Sequence, residues 1–219
     1  MNQKQLNIIL MTFTILIVVM GCSSTENSSH KGHNTQSSEA DVNQPEQNKD
    51  QDEIYQSEEK DIQDKMKVDG FTSEMPNVYE ITATAELREE EDADRIVYEV
   101  FINKPKIEMK HITLSFSLHP KMFDKLNTSN VFMSTAMFDQ STSLQPGEEP
   151  YGTSLARGFV MNKNLIEQDM KNIYDQIFVK ISYVTKEEQV EEYFQLQAKI
   201  SSQLEKYVND QLGSVNNFV

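Results

Sequence analysis

Residues 111–120, with the sequence HITLSFSLHP, carry the longest regular pattern in the chain. Apolar and polar side chains alternate along this stretch until Pro120, which has no N–H to donate to a strand ladder. The apolar set is Ile112, Leu114, Phe116 and Leu118, and the polar set is Thr113, Ser115, Ser117 and His119. A period of two residues places the two sets on opposite faces of a strand. The stretch therefore predicts a β-strand with one face in a hydrophobic core.

Similar alternation occurs on both sides of this stretch. It is clearest in residues 79–87, 96–102 and 177–185, and residues 131–138, 151–161 and 190–197 are further candidate strands. Polar turns separate them, and the one at residues 186–189 predicts a terminal hairpin. About seven short strands with no long helix between them favour an antiparallel β-sandwich. A lipocalin-like barrel is the alternative architecture.

Two segments have helical spacing instead. Residues 164–173 predict a short crossover helix, and residues 198–212 predict an amphipathic helix that ends before Gly213. The apolar positions of the second helix are Ile200, Leu204, Tyr207, Val208 and Leu212. We expect this C-terminal helix, in the final segment 198–219, to pack on the sandwich and cover an edge or an open end.

The first 21 residues differ from everything that follows. Lys4 is the only charged side chain there, and residues 8–20 form an apolar run interrupted only by Thr12 and Thr14. A short polar start and an apolar run of this length are typical of a signal peptide. The run is too short to cross a bilayer comfortably, which takes about 20 apolar residues.

This run ends in Val19-Met20-Gly21-Cys22, which contains the only cysteine of the chain. The sequence resembles the lipobox of bacterial lipoproteins, especially Gram-positive ones. The resemblance implies cleavage between Gly21 and Cys22, acylation of Cys22 with fatty acids such as palmitate, and anchoring on the outer face of the cell membrane. An uncleaved N-terminal anchor or a plain secretory signal is the alternative interpretation.

Residues 22–70 are rich in Ser, Asn, Gln, Asp, Glu and Lys and poor in large apolar side chains. Such a segment buries too little apolar surface to offset its chain entropy, so we expect a disordered tether. The Glu and Lys content of residues 52–67 permits a transient helix within it. The net charge of the whole chain is −15. This charge repels phosphate backbones and anionic headgroups, which argues against nucleic-acid binding and leaves membrane attachment to the lipid.

The expected sandwich occupies residues 71–197, a length sufficient for one domain with its own core. The strand layout and the turn Leu144-Gln145-Pro146-Gly147-Glu148 resemble the immunoglobulin-like domains of many Gram-positive lipoproteins. The chain has no tryptophan and no second cysteine, so the core signature of antibody domains is absent. The resemblance implies an interaction domain.

Few residues in the sequence suggest catalysis or metal binding. The chain has no G-x-S-x-G motif, and His111 and His119 have no metal-ligand spacing, so we predict neither an enzyme nor a cofactor. His30 and His33 form an H-x-x-H pair, a weak candidate for Cu or Zn. Arg157 is the polar side chain that we expect to contact a partner.

Two functional hypotheses remain. The first is a non-enzymatic module that contacts another envelope protein or a wall component. The second is a ligand- or metal-binding lipoprotein with a methionine-lined apolar pocket, because eight of the eleven methionines lie between Met66 and Met170. Thioethers suit adaptable apolar surfaces and soft Cu(I). Core packing is the simpler explanation of these methionines.

Overall fold

The structure is a computed structural model that describes residues 47–138, 142–162, 166 and 168–215. Its helices and strands are α1 (Gln47–Lys67), β1 (Glu80–Glu89), β2 (Asp94–Asn103), β3 (Met109–Leu118), β4 (Phe132–Ser134), β5 (Thr142–Leu144), β6 (Gly152–Val160), β7 (Gln176–Val184), β8 (Gln189–Gln197), β9 (Lys199–Ile200) and α2 (Ser202–Val215). Short 3-10 helices cover Pro120–Lys125, Thr135–Met137 and Gln168–Asn172. Within these residues no helix is long and apolar enough to span a bilayer.

The strands form two separate sheets. The first has the order β6-β2-β1-β9, and the second has the order β4-β3-β7-β8 with β5 added beside β3. Neighbours pair antiparallel except β1 and β9, which run parallel. The predicted β-sandwich is thus confirmed, and the two sheets do not close into the alternative barrel. The described residues contain nine strands where about seven were predicted, because the very short strands β5 and β9 were not among the predicted ones.

The core lies between the sheets, where the alternating sequence patterns place it. The predicted inward residues of four strands are all buried, and they are Ile81, Ala83, Ala85, Leu87, Ile96, Tyr98, Val100, Ile102, Ile112, Leu114, Phe116, Leu118, Ile177, Val179, Ile181 and Tyr183. The predicted hairpin at residues 186–189 is also present, since β7 and β8 pair in continuous register. Burial of one face of each strand therefore fixes the register of both sheets.

Two predicted elements differ from the observed ones. The strand expected over residues 131–138 covers only Phe132–Ser134, because the Ser134 hydroxyl accepts a hydrogen bond from the Ala136 N–H at 3.0 Å and begins a 3-10 helix. A serine side chain competes in this way with the ladder of a strand. Of the crossover helix predicted over residues 164–173, the described part is a 3-10 helix with Met170 buried.

The C-terminal helix packs on the sandwich, as predicted, but it covers Ser202–Val215 instead of residues 198–212 and does not end before Gly213. Residues 199–200 instead form β9 beside β1. Leu204, Val208 and Leu212 of α2 are buried in the core. The helix starts after Ser201, whose hydroxyl accepts a hydrogen bond from the Leu204 N–H at 3.2 Å. A serine before the first turn satisfies an N–H group that has no partner within the helix.

The tether prediction is wrong for its C-terminal part. Gln47–Lys67 is a helix that packs on the second sheet, with Ile62 fully buried and Glu58 nearly so. Composition alone indicated disorder because this helix has very few apolar residues. Its contacts with the sheet are largely polar, and the next section describes them.

Candidate functional site

Four of the residues singled out by sequence, Gly21, Cys22, His30 and His33, lie outside the described residues. Arg157 lies on β6 and is half-buried. Its guanidinium donates a hydrogen bond through Nη1 to the Phe132 carbonyl and lies 4.7 Å from the centre of the Phe159 ring. These contacts join β6 of the first sheet to β4 of the second.

The two histidines of the folded part have different surroundings. His119 precedes the 3-10 helix Pro120–Lys125, and its Nδ1 accepts a hydrogen bond from the Lys121 N–H at 3.2 Å. Burial lowers the pKa of this histidine, with a smaller effect from the nearby Lys121 charge. His111 has the left-handed backbone angle φ of 52°. In the described part of the chain, no cluster of His, Cys, Asp or Glu is arranged to hold a metal ion.

Half of the described methionines are core residues. Met109, Met122, Met161 and Met170 are buried in the core between the sheets. Met75 lines a surface groove of about 770 Å³ between β1 and β8, with no second methionine in its lining. Packing therefore accounts for the four buried methionines, and the described residues around this groove do not form a methionine-lined pocket.

A buried polar cluster fixes α1 to the outer face of the second sheet. We call Lys180, Glu58, Asp61, Ser115 and Ser134 the Lys180 cluster. Lys180 Nζ lies 2.7 Å from Glu58 Oε1 and 2.7 Å from Asp61 Oδ2. The Ser115 hydroxyl lies 2.8 Å from both Glu58 Oε2 and Ser134 Oγ. These hydrogen bonds join the middle of α1 to β3, β4 and β7.

The sequence pattern explains why this cluster is buried outside the main core. Lys180 and Ser115 occupy the polar alternation of their strands, so their side chains point away from the space between the sheets. Burial by itself lowers the pKa of Lys180, but the hydrogen bonds to Asp61 and Glu58 outweigh it and the pKa is raised. Lys180 is only 1% exposed, so the cluster is a structural contact and is closed to ligands.

Aromatic contacts extend the same interface. The Tyr55 ring packs edge-on against Phe132, and its hydroxyl donates to the Phe132 carbonyl at 3.1 Å. This carbonyl also accepts the hydrogen bond from Arg157. Near the other end of the helix, the ammonium group of Lys65 lies 4.6 Å from the centre of the Tyr193 ring. These contacts hold the helix from Tyr55 to Lys65.

The best candidate for a binding site is a cleft at one end of the sandwich. We call it the loop-end cleft, because it lies where the β2–β3, β5–β6 and β7–β8 connections meet. Its volume is about 820 Å³. It is lined by Val78, Lys106, Ile107, Glu108, Gln145, Pro146, Tyr183, Thr185, Lys186, Glu187, Glu188 and Val190. A concave surface with apolar side chains and a few charged groups is typical of a binding site.

Local backbone contacts shape the walls of this cleft. The Thr185 hydroxyl accepts hydrogen bonds from the Glu187 and Glu188 N–H groups and donates to the Glu188 carbonyl, which closes the β7–β8 turn. On the opposite wall, the Lys106 N–H donates to the Val78 carbonyl at 2.7 Å. Hydroxyl-closed turns of this kind hold a loop in one conformation. These hydrogen bonds therefore fix the shape of two walls of the cleft.

The predicted turn at residues 144–148 supplies the third wall. The Glu148 N–H donates to the Gln145 carbonyl at 3.3 Å, and Gly147 has a φ of 73°. Pro146 followed by a glycine with positive φ is the pattern of a type II turn. The turn places Gln145 and Pro146 at the mouth of the cleft.

One lining residue, Tyr183, is held by a carboxylate that it shares with Tyr79 of the core. The Tyr79 hydroxyl donates to Glu192 Oε2 at 2.6 Å, and the Tyr183 hydroxyl donates to the same oxygen at 3.2 Å. Burial, followed by the effect of Glu192, raises the pKa of both phenols. Both phenols therefore stay protonated at neutral pH.

The charged side chains of the cleft are two lysines and three glutamates. Sequence analysis missed the cleft because its residues come from separate stretches of the chain. The three turns that build it were each visible in the sequence, but their meeting at one end was not.

Comparisons of the chain with protein-family models, with curated proteins and with solved structures gave no match. The functional conclusion therefore depends on the geometry of the loop-end cleft and on the N-terminal sequence.

Proposed function

We propose that this chain is a lipoprotein of the outer face of the cell membrane whose folded domain binds another envelope protein and catalyses no reaction. The loop-end cleft is the observation that carries this proposal. It combines apolar side chains with mixed charges on preformed loops, which suits a protein segment better than a single small charged ligand. A wall component is the second partner class.

An immunoglobulin-like assignment of the sandwich fits this function. The order β6-β2-β1 faces β3-β7-β8, which matches strands E-B-A and C-F-G of that architecture. In this correspondence, the β2–β3 and β7–β8 connections are the B–C and F–G loops. Variable domains of antibodies bind their targets with loops of this end. The position of the cleft thus agrees with the way such domains recognise partners.

The cleft is tested with a photo-crosslinking amino acid at Glu187, inside the cleft, in cells that make the full chain. Glu86, exposed on the outer face of β1, is the matched control position. We expect a discrete crosslinked product from position 187 and none from position 86. Equal products at both positions, or none at position 187, would refute the proposed binding site. A product that contains glycan instead of protein would identify a wall component.

The anchor is tested separately with Cys22→Ala. We expect the protein to leave the membrane fraction for the medium or to accumulate as unprocessed precursor, because two acyl chains give stable attachment where one is marginal. Cell fractionation and incorporation of labelled palmitate measure this, with Ser23→Ala as the control. A cleaved Cys22→Ala protein that stays on the membrane would contradict lipid anchoring.

A further inference from the structure

The strand β1 is paired over only part of its length on the side away from β2. Among the described residues, β9 pairs parallel with Thr84 and Ala85 on that side and with no other residue of β1. Ile81, Thr82 and Ala83 precede this contact and line the groove of about 770 Å³ between β1 and β8. The unpaired part of the strand edge therefore opens into a groove, which we call the β1–β8 groove.

One hydrogen bond identifies the backbone groups that point into this groove. The Ala85 carbonyl points away from β2, because it accepts from the Ser201 N–H at 3.0 Å. Directions alternate along a strand, so the N–H and C=O groups of Ile81 and Ala83 also point away from β2. In the part of the chain that the structure describes, none of these four groups has a hydrogen-bond partner. Ile81 and Ala83 are each only 5% exposed, and backbone groups of such buried residues nearly always have one.

The lining of the β1–β8 groove is neutral except for one lysine. It consists of Ser73, Met75, Ile81, Thr82, Ala83, Thr84, Gln195, Leu196, Gln197 and Lys199. These described lining residues include no carboxylate, although the net charge of the chain is −15. Lys199 is exposed and forms no ion pair with any described residue, whereas Glu80 at the start of β1 is paired with Lys104 at 2.9 Å. The groove therefore favours an anionic group at Lys199.

Lys199 also lies where the chain crosses one end of the groove. The chain leaves the second sheet at Gln197, the end of β8, and joins the first sheet at Lys199, which lies beside Thr84. A segment paired with Ile81 and Ala83 in the direction of β1 would lie in line with β9. Such a segment has to end before Lys199, because β9 already occupies the next positions of the edge.

We propose that the β1–β8 groove binds the C-terminal segment of another protein. The segment adds as a short strand beside Ile81–Ala83, parallel to β1, and its terminal carboxylate lies at Lys199. Strand addition to an open edge and capture of a terminal carboxylate are both established modes of peptide recognition. Within the chain, β9 already pairs with the same edge in the same direction. The β1–β8 groove shares no lining residue with the loop-end cleft, so the two sites are independent.

Binding to random hexapeptides tests the need for a free carboxylate. The full chain, in mild detergent, is applied to peptides attached to a surface through their N-termini or through their C-termini. We expect binding only to peptides attached through their N-termini, whose carboxylates are free. For a bound sequence, fluorescence polarisation should show about tenfold weaker affinity for the C-terminal amide than for the acid, because a charge-assisted hydrogen bond is lost.

Lys199→Gln assigns this difference to the β1–β8 groove. We expect the variant to bind the acid about tenfold more weakly and the amide unchanged, a pattern that a general loss of structure would not give. Lys121→Gln, exposed in the 3-10 helix Pro120–Lys125, is the matched control and should bind both peptides normally. Equal affinities for acid and amide, or equal affinities of the two variants for the acid, would overturn the proposal.

Methylation of the peptide backbone tests strand addition without changing the protein. Only every second residue of an added strand directs its N–H toward β1. N-methylation at these alternate residues should abolish binding, and N-methylation at the residues between them should have little effect. Equal tolerance at all positions, or no binding of any hexapeptide from either set, would refute strand addition at this edge.

Discussion

Lys180→Met should lower the free energy of unfolding by about 3–5 kcal/mol, as expected when one partner of a buried ion pair is removed. The ammonium group of Lys180 is the partner of both Glu58 and Asp61, at 2.7 Å from each carboxylate. Without it, the nearly buried Glu58 carboxylate keeps only the Ser115 hydroxyl, and its desolvation is no longer offset. Urea denaturation of the full chain, followed by circular dichroism, measures the loss.

Two further variants separate this effect from a simple loss of charge. Lys206→Met removes an exposed ion pair with Asp210, and we expect a change below about 1 kcal/mol. The double variant Lys180→Met with Glu58→Met should recover much of the stability, because a buried ion pair is often replaceable by apolar side chains. If Lys180→Met were no more destabilising than Lys206→Met, α1 would not be fixed by the Lys180 cluster.

Phe116→Ala should cost about 3–5 kcal/mol of unfolding free energy. Phe116 is fully buried at the centre of β3, opposite Met133 of β4 and Val179 of β7. Its truncation removes apolar contacts and leaves a cavity that neighbouring strands fill only in part. A domain of this kind has a total stability of about 5–15 kcal/mol, so much of it would be lost.

Phe123→Ala is the matched control for this variant. Phe123 is 45% exposed in the 3-10 helix that follows β3, so the same truncation removes far less buried surface. We expect a change within about 0.5 kcal/mol, measured by urea denaturation of the full chain. Similar losses for both variants would mean that the core does not lie where β3 places it.

The alternation of apolar and polar residues was enough to predict much of the fold. The strands β1, β2, β3, β7 and β8 were predictable because burying one face of a strand imposes a period of two on the sequence. The sequence predicted that these strands form an antiparallel sandwich, but it did not predict the order of the strands in each sheet. Many strand orders are compatible with the same alternation. Short strands such as β5 and β9 carry too few residues to show a period.

The docking of α1 on the second sheet could not be predicted from the sequence of the helix. Its inward side chains include Glu58 and Asp61, which composition assigns to solvent, and their burial is favourable only because Lys180 lies opposite. That lysine is more than a hundred residues away in sequence and occupies the polar side of its own strand. The loop-end cleft was unpredictable for a related reason, because it depends on which turns meet at one end.

The docking of α1 also decides how the domain bears mechanical load. The described part of the chain begins with α1, which is held to the second sheet by the Lys180 cluster, Tyr55 and Lys65. A pull from residues that precede Gln47 therefore reaches these contacts before it reaches β1. Under such a force, α1 would detach from the sheet first, and the sandwich and its cleft would keep their shape until the hydrogen bonds of the Lys180 cluster break.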